Sequence, residues 1–227
     1  MKRMPVGRRA KRKGVCDDVM NYKWAKDFVT QLINQYSVAG SEIAVSYNNQ
    51  ADYLKRIPKL LDDAQVLVAT GAGKIRTITA LESLTRKTMG SWYLYELPED
   101  CWQVCSGGLI RTDGEQLHRY SRYRLLGDNG LAVPKTLDGE MMLEYFRYPA
   151  LLGSDPQENA ALDNTVEAQM AIPYYAAALL VMQDDRFAYS ALMNEFEAKL
   201  SRMGERLQAQ ITIIEDAYDA AEAENNG

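Results

Sequence analysis

Apolar residues recur with a helical period at both ends of the chain and alternate through its middle. Val19, Tyr22, Ala25, Phe28, Val29, Leu32 and Ile33 fall mostly three or four apart, which places them on one face of a helix starting near Asp17. Asp17 or Asp18 is the expected cap, and Gly40 and Tyr47–Gln50 suggest a break. A second helix is predicted from about Gln50 to Ala69, with Tyr53, Ile57, Leu60, Leu61, Ala64 and Val68 as its apolar stripe. Pro58 either sits in its first turn, where a missing N–H costs nothing, or kinks it. Gly71 and Gly73 end it.

From Ile75 the pattern reads as β. Ile75–Ala80, Trp92–Leu97, Val104–Thr112, Tyr120–Leu126 and Met141–Tyr148 are the strand candidates. Turns at Asp113-Gly114, Gly127–Gly130 and Asp138-Gly139 separate several of them. This predicts a small antiparallel module rather than a large sandwich. A helix then runs from about Asp163 to Gln183, broken near Pro173, and a final helix starts after Asp184-Asp185, which cap it. The apolar positions of the final helix are Leu192, Phe196, Leu200, Met203, Leu207, Ile211, Ile214 and Tyr218, an eleven-residue repeat close to the period of a straight helix. A short turn between these two helices makes an antiparallel hairpin. The expected fold is mainly α: a helical bundle with a long C-terminal helical hairpin and a small antiparallel β module. It forms a single α-rich domain over 17–218 with the β insertion at about 75–148.

Composition adds little to that picture, and charge adds more. The chain of 227 residues is 47% apolar and 25% charged, ordinary for a folded protein with a sizeable core. A net charge of −5 argues against a general nucleic-acid binder. The charge is segregated, however. Lys2, Arg3, Arg8, Arg9, Lys11, Arg12 and Lys13 precede any acid, so residues 1–16 are expected to be a flexible basic arm. Glu215, Asp216, Asp219, Glu222 and Glu224 follow the last base, and 219–227 are expected to be a flexible acidic tail. Arg8, Arg9, Lys11, Arg12 and Lys13 are candidates for contact with phosphate or an acidic partner. No apolar run reaches the ~18–20 residues a membrane span requires. The expectation is a cytosolic product unless a larger particle carries it out.

The search for chemistry assigns no catalytic, cofactor-binding or metal-ligating residue. His118 is the single histidine and has no nucleophile-elbow partner motif. Gly71-Ala72-Gly73-Lys74 lacks the spacing of a phosphate loop and is followed by Ile75 rather than Ser or Thr, so it reads as a helix end. Cys16, Cys101 and Cys105 form neither a disulfide framework nor a zinc spacing. Neighbouring acids on a helix diverge by about 100°, so Asp62-Asp63 reads as a solvated face and Asp184-Asp185 as a cap. Fourteen tyrosines against four phenylalanines suit half-buried interfaces or an ordinary core rim. Tyr145, Tyr148, Tyr174, Tyr175 and Tyr189 fall in or just before the expected hairpin.

Two segments carry a resemblance, the second of them in two parts. The first is Ala51-Asp52-Tyr53-Leu54-Lys55-Arg56-Ile57-Pro58-Lys59-Leu60-Leu61-Asp62-Asp63-Ala64-Gln65. The second is the run from Leu143 through Tyr148-Pro149 to Ala171-Ile172-Pro173-Tyr174-Tyr175-Ala176-Ala177-Ala178-Leu179-Leu180, continuing through Asp184-Asp185-Arg186-Phe187-Ala188-Tyr189 into Glu195-Phe196-Glu197. Together they resemble the tailed-phage head-tail connector, or adaptor (head-completion), family, over roughly 50–200. The resemblance implies a non-enzymatic structural subunit of the virion's head-tail junction, made in the host cytoplasm. It would form a ring of about twelve copies of itself, closed by heterologous contacts. Its further partners would be the portal protein, tail or nozzle proteins, and the genomic DNA passing through the channel, with no membrane. In that family C-terminal segments reach onto the portal, which makes Ile211, Ile214 and Tyr218 the candidate docking residues. The alternative is a nucleic-acid-binding or DNA-packaging accessory protein using the basic arm, distinguished by steep salt dependence.

Overall fold

The computed structural model describes residues 20–36, 47–113, 116–137 and 140–204. Two helices come first, α1 (Tyr22–Tyr36) and α2 (Tyr47–Thr70). Asn21 caps α1, its Oδ1 accepting from the Trp24 N–H at 2.9 Å. The expected caps, Asp17 and Asp18, lie outside the described residues. Pro58 stands inside α2 rather than in its first turn. The end of α2 is as the glycines imply: Gly71 N–H donates to Leu67 and Val68 carbonyls, and Gly73 N–H to Val68. A Cβ on Gly73 would lie 2.6 Å from Val68 Cγ1, so any side chain there would force the buried Val68 to shift.

Eight strands follow: β1 (Ile75–Ala80), β2 (Arg86–Met89), β3 (Trp92–Glu96), β4 (Cys101–Asp113), β5 (Gln116–Tyr120), β6 (Arg124–Leu126), β7 (Gly130–Pro134) and β8 (Met141–Arg147). They form two four-stranded sheets, in the orders β1-β8-β4-β5 and β2-β3-β7-β6, with every named pair antiparallel. The two sheets share one core. Leu109, Leu143 and Tyr145 of the first sheet pack with Tyr95, Leu131 and Val133 of the second.

The chain then forms α3 (Val166–Gln169) and α4 (Ile172–Val181), and residues 186–204 are helical and termed α5. Asp185 caps α5, its carboxylate accepting from Phe187 and Ala188 N–H. The helices enclose a second core in which Val29, Ile57, Leu61, Ile172, Leu192 and Phe196 meet. Leu192, Phe196 and Met203 of the predicted stripe are buried and Leu200 is half-buried.

The mainly α expectation is overturned. The described residues are 42% helical and 29% strand, a mixed α/β fold with two sheets in place of one small module. Three strands, β2, β5 and β7, were missed, two of them for plain physical reasons. All four residues of β2 are exposed, so no burial alternation marks it, and β7 is a continuous apolar run starting at a turn glycine. The strand expected over Tyr120–Leu126 is only Arg124–Leu126, β6; its first residue, Tyr120, ends β5, which lies almost wholly before it and belongs to the other sheet. Among the described residues no long C-terminal hairpin forms. Pro173 sits in the first turn of α4, where its missing N–H costs nothing, and α4 is only ten residues long.

Candidate functional site

A strand sends alternate side chains to opposite faces. Leu143 and Tyr145 of β8 enter the shared core, so Glu144 and Phe146 face outward. The register of β1 against β8 pairs Ile78 with Glu144 and Arg76 with Phe146. Arg119 of β5 joins them from two strands away. Its Nη1 lies 2.5 Å from Glu144 Oε2, and Arg76 Nη1 lies 3.5 Å from Glu144 Oε1. The Glu144 side chain is 5% exposed, whereas Arg76 is 41% exposed. A buried carboxylate is tolerated only with such partners.

Lys74, at the mouth of β1, extends this cluster. Its Nζ lies 4.8 Å from the Phe146 ring centroid and 5.4 Å from that of Trp102, and the two rings are stacked 6.0 Å apart. Arg76 and Arg119 therefore flank the Glu144 carboxylate, and Lys74 lies over the neighbouring rings. Ile78 and Leu117 are exposed at 52% and 58% on the same face. Cys105 is buried beneath it. Burial, reinforced by Glu144, pushes its thiol up to about 11 against the opposing pull of Arg76, Arg119 and Lys74. Cys101 is likewise held at about 11, by burial and then by Asp100. Both remain protonated thiols near neutral pH, which makes them poor nucleophiles.

A second polar cluster fastens the loop before α3 to α2. Arg147 forks onto Asp163 at 2.5 and 2.7 Å, and Asp163 also accepts from Ala150 N–H. The Arg147 hydrogen bonds hold the Asp163 carboxyl below the usual carboxylate range, more than offsetting its burial. Gln65, fully buried, accepts from Asp163 N–H at 2.9 Å. Asp62 is 8% exposed and accepts from Leu152 N–H at 2.7 Å and Gly153 N–H at 3.0 Å. It is thus a buried anchor, correcting the solvated-face reading, which holds only for Asp63.

A third feature is the turn between α4 and α5. Tyr53 of α2 donates its hydroxyl to Asp184, and burial plus that bond push the phenol up to about 12. Beside it an open groove of about 580 Å³ is lined by Met182, Gln183, Arg186, Tyr189 and Ser190. Met182 is 43% exposed and Phe187 89% exposed.

The sequence candidates distribute as follows. His118 is exposed on β5, opposite Arg111. Tyr145 is buried, Tyr148 exposed, and Tyr174, Tyr175 and Tyr189 half-buried at the helical core. Arg8, Arg9, Lys11, Arg12, Lys13, Cys16, Ile211, Ile214 and Tyr218 lie outside the described residues. Among the described residues no group of three His, Cys, Asp or Glu side chains is placed to hold a metal, and no helix is long and apolar enough to cross a membrane. Sequence reasoning missed the cluster of Lys74, Arg76, Arg119 and Glu144. Its one local signal was Glu144 alternating with Leu143 and Tyr145 in β8. Neither protein-family models nor curated protein sequences match this chain.

Proposed function

We propose that this chain is a structural ring subunit of a tailed-phage head-to-tail connector, which docks on the portal and extends the DNA channel toward the tail. The observation that supports this reading is where the helical parts of the two resembling segments go. Ile57, Leu61 and Ala64 of the first and Ile172, Ala176, Leu180, Ala188 and Phe196 of the second meet in one helical core, while Leu143 and Tyr145, at the start of the second, enter the sheet core.

A ring subunit also needs side surfaces beyond its own core. Phe187 is an apolar ring almost entirely in solvent, next to Met182 and the groove at the α4–α5 turn. An aromatic side chain there suits the buried centre of a subunit contact. In this reading the protein carries no catalytic role, resides at the head-tail junction of the virion, and meets the portal through Ile211, Ile214 and Tyr218. Deletion of 209–227 tests it. The shortened protein should remain folded by circular dichroism and melting and lose binding to portal rings of its own phage. Portal binding undiminished by the deletion would refute this docking assignment.

A further inference from the structure

The cationic outer face of the first sheet and the point where the described chain ends lie side by side. Gly204, the last described residue, abuts Ala72: a Cβ on Gly204 would sit 4.0 Å from Ala72 Cβ. Lys74 is two residues beyond Ala72, hence within about 7 Å along the backbone. From that point the cations run across the sheet, from Lys74 just before β1 and Arg76 on β1 to Arg119 on β5, with the Glu144 carboxylate between Arg76 and Arg119. The segment that continues past Gly204 has the opposite character. Its acids are Glu205, Glu215, Asp216, Asp219, Glu222 and Glu224, against the single base Arg206.

We infer that the acidic C-terminal segment of the chain, residues 205–227, docks on this face of its own subunit, its carboxylates on Lys74 and Arg76. Four properties argue for this occupant. The charges are complementary. The face offers exposed Ile78 and Leu117 between its cations, and the segment offers Leu207, Ile211, Ile214 and Tyr218 between its acids. The reach is sufficient: the eleven residues from Gly204 to Glu215 span about 16 Å as helix and about 36 Å extended, whereas the four strands of the sheet cover about 14 Å. The site is also preassembled, since Glu144 and the stacked Trp102–Phe146 pair hold the cations in place before anything arrives. Ile211, Ile214 and Tyr218 are the residues assigned above to the portal, so on one chain the two engagements exclude each other and the docked form is that of the free subunit. The docking itself does not rest on the connector reading.

Carbodiimide coupling in the full-length protein tests it, because the reagent joins a carboxylate to an amine already in contact and Lys74 supplies the amine. The expected product, found by peptide mass spectrometry, links Lys74 to one of Glu215, Asp216, Asp219, Glu222 or Glu224. Its yield should fall about tenfold on raising the salt to about 0.5 M, where charges are screened within a few ångströms. In a mixture of isotope-labelled and unlabelled chains the crosslink should stay within one isotope; mixed pairs would give the site to a neighbour's segment and overturn docking within one chain. A variant with those five acids changed to amides should lose the crosslink, keep the parent's circular dichroism because no described residue is altered, and melt below the parent, because a segment docked on the folded face stabilises it. Absence of the Lys74 crosslink in the parent overturns the inference. So does a single-stranded oligonucleotide bound equally by parent and amide variant and released by Lys74→Ala, which would make the face a nucleic-acid site. Ring formation is measured separately, so its failure would refute the connector reading and leave the crosslink result standing.

Discussion

Replacing Asp62 with Ala should destabilise the fold by about 3 kcal/mol, although nothing in the surrounding sequence marks this acid as structural. Its Oδ1 accepts from Leu152 N–H at 2.7 Å and from Gln65 Nε2 at 3.1 Å, and its Oδ2 accepts from Gly153 N–H at 3.0 Å. Hydrogen bonds to a charged acceptor contribute about 1.5–3 kcal/mol each. Leu152 and Gly153 are partly exposed, so water replaces some of the loss and the low end of that range applies to each backbone donor. Asp62→Asn is the sharper variant. The two backbone donors use different oxygens, and an amide can present an oxygen to only one of them while turning an N–H against the other. It should therefore cost at least half as much as Asp62→Ala. Asp63→Ala, one residue along and exposed, should stay within about 0.5 kcal/mol of the parent. Urea unfolding with an unchanged slope measures all three, and amide exchange at Leu152 and Gly153 reports the released loop directly. An Asp62→Ala cost below about 1 kcal/mol, or an Asn variant as stable as the parent, would refute the anchoring role.

Other outcomes follow from the same geometry. Phe196 is 2% exposed and packs its ring 5.2 Å from that of Tyr175, so Phe196→Ala should cost about 3–5 kcal/mol in urea melts; a surface-like loss would place α5 the wrong way round. Phe187→Ala should leave the melting temperature unchanged, because the ring is 89% exposed, yet weaken ring assembly measured by light scattering. Asp163 has a depressed carboxyl, so its contribution is fully present above its unfolded value of about 3.9 and is lost as pH falls through the lower folded value. Asp163→Asn should flatten the acid limb of the stability profile. At the other extreme the Tyr53 and Tyr145 phenols are each raised to about 12, so what they contribute is present below about 10 and lost as pH rises through about 12. Tyr53→Phe should reduce the alkaline loss.

How much of this was legible depended on whether the signal was local. The end of α2 at Gly71 and Gly73, the bounds of β1 and the cap at Asp185 come from residues within a turn of each other, and they agree with the structure. What escaped was pairing across distance. β1 finds its partner in β8, with Ile75 opposite Arg147, and no local pattern announces that register. β2 has no buried side chain to betray it. Asp163 was read into a helix because its neighbours permit one, but the Arg147 fork and the Gln65 amide hold it in an extended connection. The cationic face was hidden for the same reason: Lys74, Arg76, Arg119 and Glu144 lie far apart in sequence and meet only once β8 lies between β1 and β4. Alternation in β8 alone placed Glu144 opposite the core, and it took the register to give it partners.

The connector reading is tested most directly by electron microscopy of the purified full-length protein mixed with portal rings of its own phage. The reading predicts a closed ring of this chain stacked coaxially on one end of the portal, prolonging its channel. A protein that stays monomeric beside undecorated portals, at concentrations where the fold is intact, would contradict it.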